Sequence, residues 1–438
     1  MYLLYHICVI MGSMKKINTS PISGTQELLP KKQAVFNKLL AEIRRVYHQH
    51  GFLSIETPVI ERCEILFAKA GGDTEKQIYK VVKTAEASDG ADQALRFDHT
   101  VPLARYVVEH ENDLKFPFKV SQIGRNFRGE RAQKGRFREF YQCDIDVIGR
   151  GKLPLYYDAD VVMTAYEALK TFVKPEILVR VSNRKILSGL LEGLGLNEKS
   201  EAVFGIIDHI EKVPEEKTLE AYAEEGLNEE QIAVLSEFVK ISGALDEVMP
   251  RLEVICKKAG SELMREGVDE LKIVLGLLEA EGLKGKAIAD MMIVRGLDYY
   301  TGSVFETVIP EYRQIGSVCS GGRYENLAGL FTEQKLPGVG ISIGLTRLFY
   351  ILNEYGLIKD GFDEGLIDYC VCPISDNEIP FACEVARDLR EKGFAVDVVY
   401  AGKGVGDKLK YAASVARAGI VIGENEVKSG KYVVKEFK

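Results

Sequence analysis

The segment 136–148, RFREFYQCDIDVI, restricts the fold more than any other stretch of this chain. Successive side chains along a strand point to opposite faces. One face gathers Phe137, Glu139, Tyr141, Cys143, Ile145 and Val147, which suits a core. The other gathers Arg136, Arg138, Phe140, Gln142, Asp144 and Asp146. A face with both charge signs, an amide and an aromatic ring looks onto solvent or onto a ligand, and the pattern alone fits a half-solvated strand equally well. Residues 117–128 read as a second strand, and the charged run GERAQKG (129–135) between the two makes an antiparallel hairpin with a long loop. Arg125, Arg128, Arg131, Lys134 and Arg136 crowd this hairpin. Guanidinium groups bind phosphate oxygens in pairs, so phosphate is the natural guest, although a solvated basic loop has the same composition.

The elements around the hairpin define a mixed domain. Residues 31–50 carry Val35, Phe36, Leu39, Leu40, Ile43, Val46 and Tyr47 at helical spacing, with Pro30 at the start and Gly51 past the end. Residues 52–60 read as a strand whose Pro58 suits an edge or an interface. From 199 to 284 the chain is rich in Glu, Leu, Ala and Lys with helical periodicity and no motif, a helical insertion. Strands are expected at 291–294 and 304–309, and a Gly-rich strand-to-helix passage at 338–352. After KDGFDEG (359–365), strand and helix signals alternate through IDYCVCPI, AVDVVY and GIVIG, the pattern of a small parallel α/β domain.

At 438 residues the chain exceeds a single core and should divide into two or three domains. Its net charge of -8 means that a nucleic-acid partner must be met by local basic surfaces. The eight cysteines show no C-x-x-C pair and no zinc-ligand spacing, so no metal site is expected and a reducing cytoplasm is the default. Residues 1–13 are apolar but too short to span a bilayer, and they read as an extension before Met14. No membrane partner is expected.

An ordered set of segments carries a family resemblance. GRNFRGERAQKGRFREFYQCDIDVIG (124–149) closely resembles the second signature motif of class II aminoacyl-tRNA synthetases in its histidyl form. The helix–strand with Pro58 matches the first motif, and GVGISIGLTRL (338–348) the third. LRFDHTVPLARYV (95–107), RGLDYYTGSVFE (295–306) and SGGRYENL (320–327) match in order, the second of these being peculiar to histidyl enzymes. The resemblance runs from about residue 17 to the end and is weakest over 199–284. It implies an α+β catalytic domain on a mainly antiparallel sheet (the class II synthetase fold), a helical insertion and a C-terminal α/β anticodon-binding domain. The corresponding ranges are 1–16 for an extension, 17–198 and 285–358 for the two catalytic parts, 199–284 for the insertion and 366–438 for the last domain.

The resemblance also implies roles. Arg128 would grip the histidine carboxylate and the ATP α-phosphate, and Arg295 would assist adenylate formation. Asp98, Thr100 and Gln142 would surround the α-ammonium, which has only donors and needs acceptors. Asp146 and Tyr300 would read the imidazole, with Tyr299 and Tyr324 lining the same pocket. Phe140 and Arg347 would sandwich adenine, Arg347 would also reach the γ-phosphate side, and Arg136 is a further phosphate candidate. Glycines 338, 340 and 344 would let the backbone approach the nucleotide. Asp98 is a shorter acid than the Glu of many bacterial members, and His99 is a departure too. The implied reaction activates histidine with ATP and transfers it to tRNA-His. The implied company is Mg²⁺ with the polyphosphate and a homodimer joined at the first motif. Lys403, Lys408, Lys410 and Arg417 would contact tRNA phosphates. A related non-catalytic chain, the regulatory subunit of ATP phosphoribosyltransferase, usually lacks the RGLDYYTG arginine pattern and the C-terminal domain. A threonyl enzyme would need zinc ligands, and neither it nor a prolyl enzyme would explain RGLDYYTG.

Overall fold

The computed structural model describes residues 17–68, 75–84, 92–131, 133–294, 300–362 and 367–437. The N-terminal extension 1–16, and Arg295 and Tyr299, lie outside the described residues.

The hairpin of alternating residues is the centre of the molecule. Its strands are β5 (Phe118–Phe127) and β6 (Glu139–Ile148), antiparallel over ten rungs. They belong to a sheet in the order β1 (Leu53–Ser54), β5, β6, β12 (Gly338–Ile343), β11 (Cys319–Tyr324), β10 (Ser303–Val308), β7 (Leu178–Asn183), β9 (Ala287–Asp290), β8 (Ser242–Gly243). Only β1–β5 and β7–β9 pair in parallel, so the sheet is mainly antiparallel. Cys143, Ile145 and Val147 are fully buried in one large core, as the alternation requires. The helix Pro30–Gln49 brings Phe36, Leu39, Ile43 and Val46 to that face, and Tyr156–Phe172 brings Val161, Leu169 and Phe172. Each such side chain contributes about 1.5–3 kcal/mol on burial. Tyr47 fixes the first helix to β6 by donating to the Cys143 carbonyl at 2.9 Å. The helix is followed by Gly51 at φ +79°, where a side chain would be strained.

Two expectations are corrected. Residues 52–60 are not one strand: β1 ends at Ser54, β2 (Ile60–Arg62) starts a separate small sheet with β4 (Gln93–Leu95) and β3 (Lys80–Val81), and Pro58 lies in the connection. A proline lacks the N–H that either ladder would need. The strand expected at 291–294 lies earlier, at Ala287–Asp290, because Asp290 stops it: its carboxylate accepts from the Met292 N–H at 3.0 Å and turns the chain.

Helices Ser200–His209, Glu215–Glu224, Glu229–Val239, Leu245–Ala259 and Glu262–Leu278 fill the 199–284 stretch. Their apolar stripes join the same core through Val203, Tyr222, Phe238, Leu252 and Leu271. Arg180 on β7 ties them to the sheet, pairing with Asp290 at 2.8 Å and Glu211 at 3.0 Å.

The last segment forms its own sheet, β14 (Val396–Val398), β13 (Ile367–Pro373), β15 (Ala416–Ile422) and β16 (Val434–Glu436). The first three are parallel, as expected, and β16 adds an antiparallel edge. Val371, Val385, Leu389, Ile420 and Ile422 form a core separate from the large one. Lys403, Lys410 and Arg417 are exposed, but Lys408 is buried and donates to the Pro373 carbonyl at 2.8 Å. Lys408 therefore holds the domain together and offers no phosphate contact.

Candidate active site

The polar face of β6 is where the expected residues meet. Directly paired residues of neighbouring strands share a face. The register sets Asp146 beside Gly340, Asp144 beside Ser342, and Gln142 beside Gly124. On the next strand Gly322 pairs with Gly340 and Tyr324 with Gly338. The helix Thr100–Glu109 covers one end, packing Leu103 and Val107 near Val120. That packing lowers Asp98 and His99 onto the same face beside Asp144, and Thr100 begins the helix next to them. Arg96, almost wholly buried, clamps the approach by donating to the carbonyls of Thr57 and Arg125 at 2.7 and 2.9 Å.

At this covered end Tyr324 donates its hydroxyl to Asp146 at 3.0 Å, and Tyr300 packs in the same cluster with Ala104 and Phe331. Gly338 and Gly340 are there for these side chains: a methyl on Gly340 would collide with the Asp146 carboxylate, and one on Gly338 with the Tyr324 ring. Two of the three glycines expected to admit a nucleotide thus shape this small pocket instead, and Gly344 alone lines the larger cleft. Burial, then the neighbouring Asp144, push the Asp146 carboxyl up to about 8 against the lowering effect of the Tyr324 hydroxyl, with Asp98 adding to the rise. Burial, then the facing Asp146, push both phenols up, so Tyr300 and Tyr324 keep their donor hydrogens.

The raised carboxyl has a consequence for stability. A carboxyl held near 8 in the fold and near 3.8 when unfolded disfavours the fold increasingly as pH rises between those values. Ligand-free Asp146→Asn should therefore melt a few degrees higher than the parent at pH 8, with the gap shrinking toward pH 5. Thermal unfolding at pH 5, 6.5 and 8 measures it. A gap independent of pH would show that Asp146 is ionised throughout.

Asp98 is buried and accepts from the Val101 N–H at 3.0 Å, so it also anchors the helix start. Burial raises its carboxyl, opposed by that N–H and by Arg128. Beyond Gln142 the face opens into a cleft of about 300 Å³, lined by Arg128, Arg136, Phe140, Ser320, Gly344 and Arg347 among others. Arg128 stacks on Phe97 and Phe140, its guanidinium carbon 4.4 and 5.0 Å from the ring centres, and donates Nε to the Phe97 carbonyl at 3.3 Å. Arg347 donates to the Ile315 carbonyl. Burial and the nearby Arg136 pull its guanidinium down, against the raising effect of Glu130 and Glu306. Two other cations of the hairpin face acidic partners instead. Arg125 pairs with Glu139 at 2.6 Å, and Lys134 lies 3.8 Å from Glu354.

A cluster of a carboxyl group and phenols, on the sheet face whose Gln142 lines the arginine cleft, suits a substrate with a polar ring at one end and a phosphate reaction at the other. The histidyl-tRNA synthetase sequence family matches residues 24–348, and the anticodon-binding-domain family matches 368–438. The chain belongs to the histidyl-tRNA synthetase family. A histidine–tRNA ligase of Clostridium tetani is 44% identical over 429 residues, covering 97% of this chain and 96% of the relative. The crystal structure of histidyl-tRNA synthetase from Nostoc sp. PCC 7120 is similar with a TM-score of 0.85 and 37% identity, over 96% of this chain and 97% of that one. A Bacillus halodurans structure described as an ATP phosphoribosyltransferase regulatory subunit/histidyl-tRNA synthetase has a TM-score of 0.74, covering 93% of this chain and 100% of that one; at 21% identity it shares the fold alone.

No motif assigns a role to three further residues on this face, the buried His99 and Asp144 and the half-buried Ser342. His99 Nδ1 meets Asp144 Oδ2 at 3.0 Å, and the Ser342 hydroxyl donates to the other Asp144 oxygen. Asp144 was visible by its alternation with Gln142 and Asp146, but Ser342 reaches it only through the β6–β12 register.

Proposed function

We propose that the chain is a histidine–tRNA ligase whose two half-sites share one sheet face: the pocket of Asp146, Tyr300 and Tyr324 takes the imidazole, and the arginine cleft takes ATP. The shared face carries this reading: Asp146 and Gln142 alternate along β6, and Gln142 lines the arginine cleft. Neutral imidazole has one N–H and one bare nitrogen, and the Asp146 carboxyl oxygens beside the phenols supply an acceptor and a donor. A side chain lacking either group would leave buried polar atoms unpaired, which costs the affinity that specificity requires. Asp98, Thr100 and Gln142 receive the α-ammonium. Arg128 bridges the carboxylate and the α-phosphate, where the carboxylate oxygen attacks phosphorus in line and pyrophosphate leaves. Phe140 and Arg347 hold adenine, and Arg136 and Arg347 the outer phosphates. Such catalysis is positioning and charge stabilisation more than proton transfer. Arg295 and Tyr299 belong to the same reading through their motif.

Mg²⁺ would accompany the polyphosphate. Glu130 is the carboxylate lining the cleft, and it would hold the ion together with phosphate oxygens. The product ester forms on tRNA-His, held at a distance by the C-terminal anticodon-binding domain, with the 199–284 helices inserted between the catalytic parts 17–198 and 285–358. A homodimer in the cytoplasm completes the proposal. Leu53 on the edge strand β1 and Ile60 leave 59% and 46% of their surface exposed, in the first-motif segment where the dimer contact is expected. No described helix is long and apolar enough to cross a membrane.

ATP–pyrophosphate exchange with each standard amino acid tests the reading. Histidine alone should support exchange. Equal exchange with threonine or proline would discard the pocket assignment, and none with histidine would leave the regulatory-subunit likeness as the better account.

A further inference from the structure

We infer that Ser342, Asp144 and His99 form a hydrogen-bond relay that sets which end of the Gln142 amide faces the substrate α-ammonium, an inference that rests on the proposed role of Gln142. The argument follows from who can donate. Asp144 as a carboxylate only accepts, and it is met by His99 Nδ1 at 3.0 Å and by the Ser342 hydroxyl. Ser342 has one hydrogen and spends it on Asp144. Toward Gln142, 2.7 Å away, Ser342 can then offer only a lone pair. Gln142 must present its NH₂ to Ser342, which points its carbonyl the other way, where Asn126 Nδ2 donates to it at 2.7 Å.

An amide is nearly symmetric in shape, so packing alone would not choose between its two orientations. The chain of obligations from Asp144 chooses. It also leaves the Asn126 carbonyl oxygen buried with no protein partner. Both carbonyls at the end of the relay are acceptors, which an ammonium can use and which an amide turned the other way would not provide. His99 Nε2 likewise has no protein partner, so the hydrogen bond of this ring goes to Asp144 alone. The Gln122 side chain steadies the loop by donating to the His99 carbonyl at 3.3 Å. These are positioning residues: none is required to touch the reacting atoms.

The test compares Ser342→Ala, Ser342→Thr, Ser342→Val and Gln142→Leu in the full-length chain. Threonine and valine have the same shape and differ by the hydroxyl, so their comparison stands even if the alanine variant does not fold. The readouts are the KM for histidine in pyrophosphate exchange and the binding of two probes. Histidinol has the ammonium and lacks the carboxylate; imidazolepropionate has the carboxylate and lacks the ammonium. Loss of the relay should raise the histidine KM about tenfold, the value of one misoriented hydrogen bond, with kcat and the ATP KM little changed. Histidinol should weaken by a similar factor in Ser342→Val and Ser342→Ala, imidazolepropionate should not, and Ser342→Thr should behave like the parent. If Gln142→Leu shows this ammonium-selective loss and Ser342→Val does not, the relay is overturned. It is overturned equally if Ser342→Val weakens both probes alike, the mark of a packing defect. If Gln142→Leu spares histidinol, the placement of Gln142 at the ammonium fails, and the relay fails with it.

Discussion

Arg128→Lys should slow adenylate formation by about a hundredfold or more, the usual cost of losing one preorganised charge donor at a reacting centre. The substitution keeps the positive charge, so the loss must come from geometry. In the structure the guanidinium lies against two rings, 4.4 Å from the centre of Phe97 and 5.0 Å from that of Phe140, and its Nε is committed to the Phe97 carbonyl. The plane is fixed before substrate arrives, which leaves the terminal nitrogens for the bridge between carboxylate and phosphate proposed for them. An ammonium is a point charge on a flexible stem. It cannot stack in this way and cannot bridge two anions with parallel hydrogen bonds. Single-turnover adenylate formation should therefore fall much more than histidine affinity. Arg136→Ala is the internal control. That side chain is exposed and only loosely paired with Glu130 at 3.4 Å, so its loss should cost much less. Equal losses for the two, or an unimpaired lysine variant, would mean that charge in the cleft matters and the position of Arg128 does not.

How far the site could be read in advance depended on whether its parts were local in sequence. The alternation in β6 exposed Phe140, Gln142, Asp144 and Asp146 because period two is a property of one strand. The helix before β1 was equally plain, since its apolar stripe and its flanking Pro30 and Gly51 lie within a single run. What escaped was set by register and tertiary fit. That Ser342 faces Asp144 follows from one rung of the β6–β12 ladder, and that Gly338 and Gly340 yield space to Tyr324 and Asp146 follows from the same ladder. No local pattern reports either. Lys408 looked like its neighbours Lys403 and Lys410, yet helical phase turns it inward to the Pro373 carbonyl. Pro58 signalled a break in pairing, and two short strands stand where one was expected because backbone donors on both sides go to different sheets.

Removing everything after Phe362 should separate the two steps of the reaction. The 367–437 segment buries its own core around Val371, Leu389 and Ile420, distinct from the core beneath the catalytic sheet. Phe362 is the sensible last residue, because its ring packs against Phe172 with centroids 6.3 Å apart and belongs to the catalytic side. None of the pocket or cleft residues lies beyond it. The shortened chain should still form histidyl-adenylate at close to the parent rate. Transfer to tRNA should fall by about a hundredfold or more at low tRNA concentration, because one of two linked contact regions is lost and with it the high effective concentration of the second. The loss should appear mainly in the KM for tRNA. Lys403, Lys410 and Arg417 are exposed cations on the removed segment, so the salt dependence of tRNA binding should become shallower as well. If the segment served only to support the catalytic sheet, pyrophosphate exchange and charging would fall together. Measuring both on one soluble truncated chain, alongside its thermal unfolding, distinguishes a tRNA-binding arm from a prop.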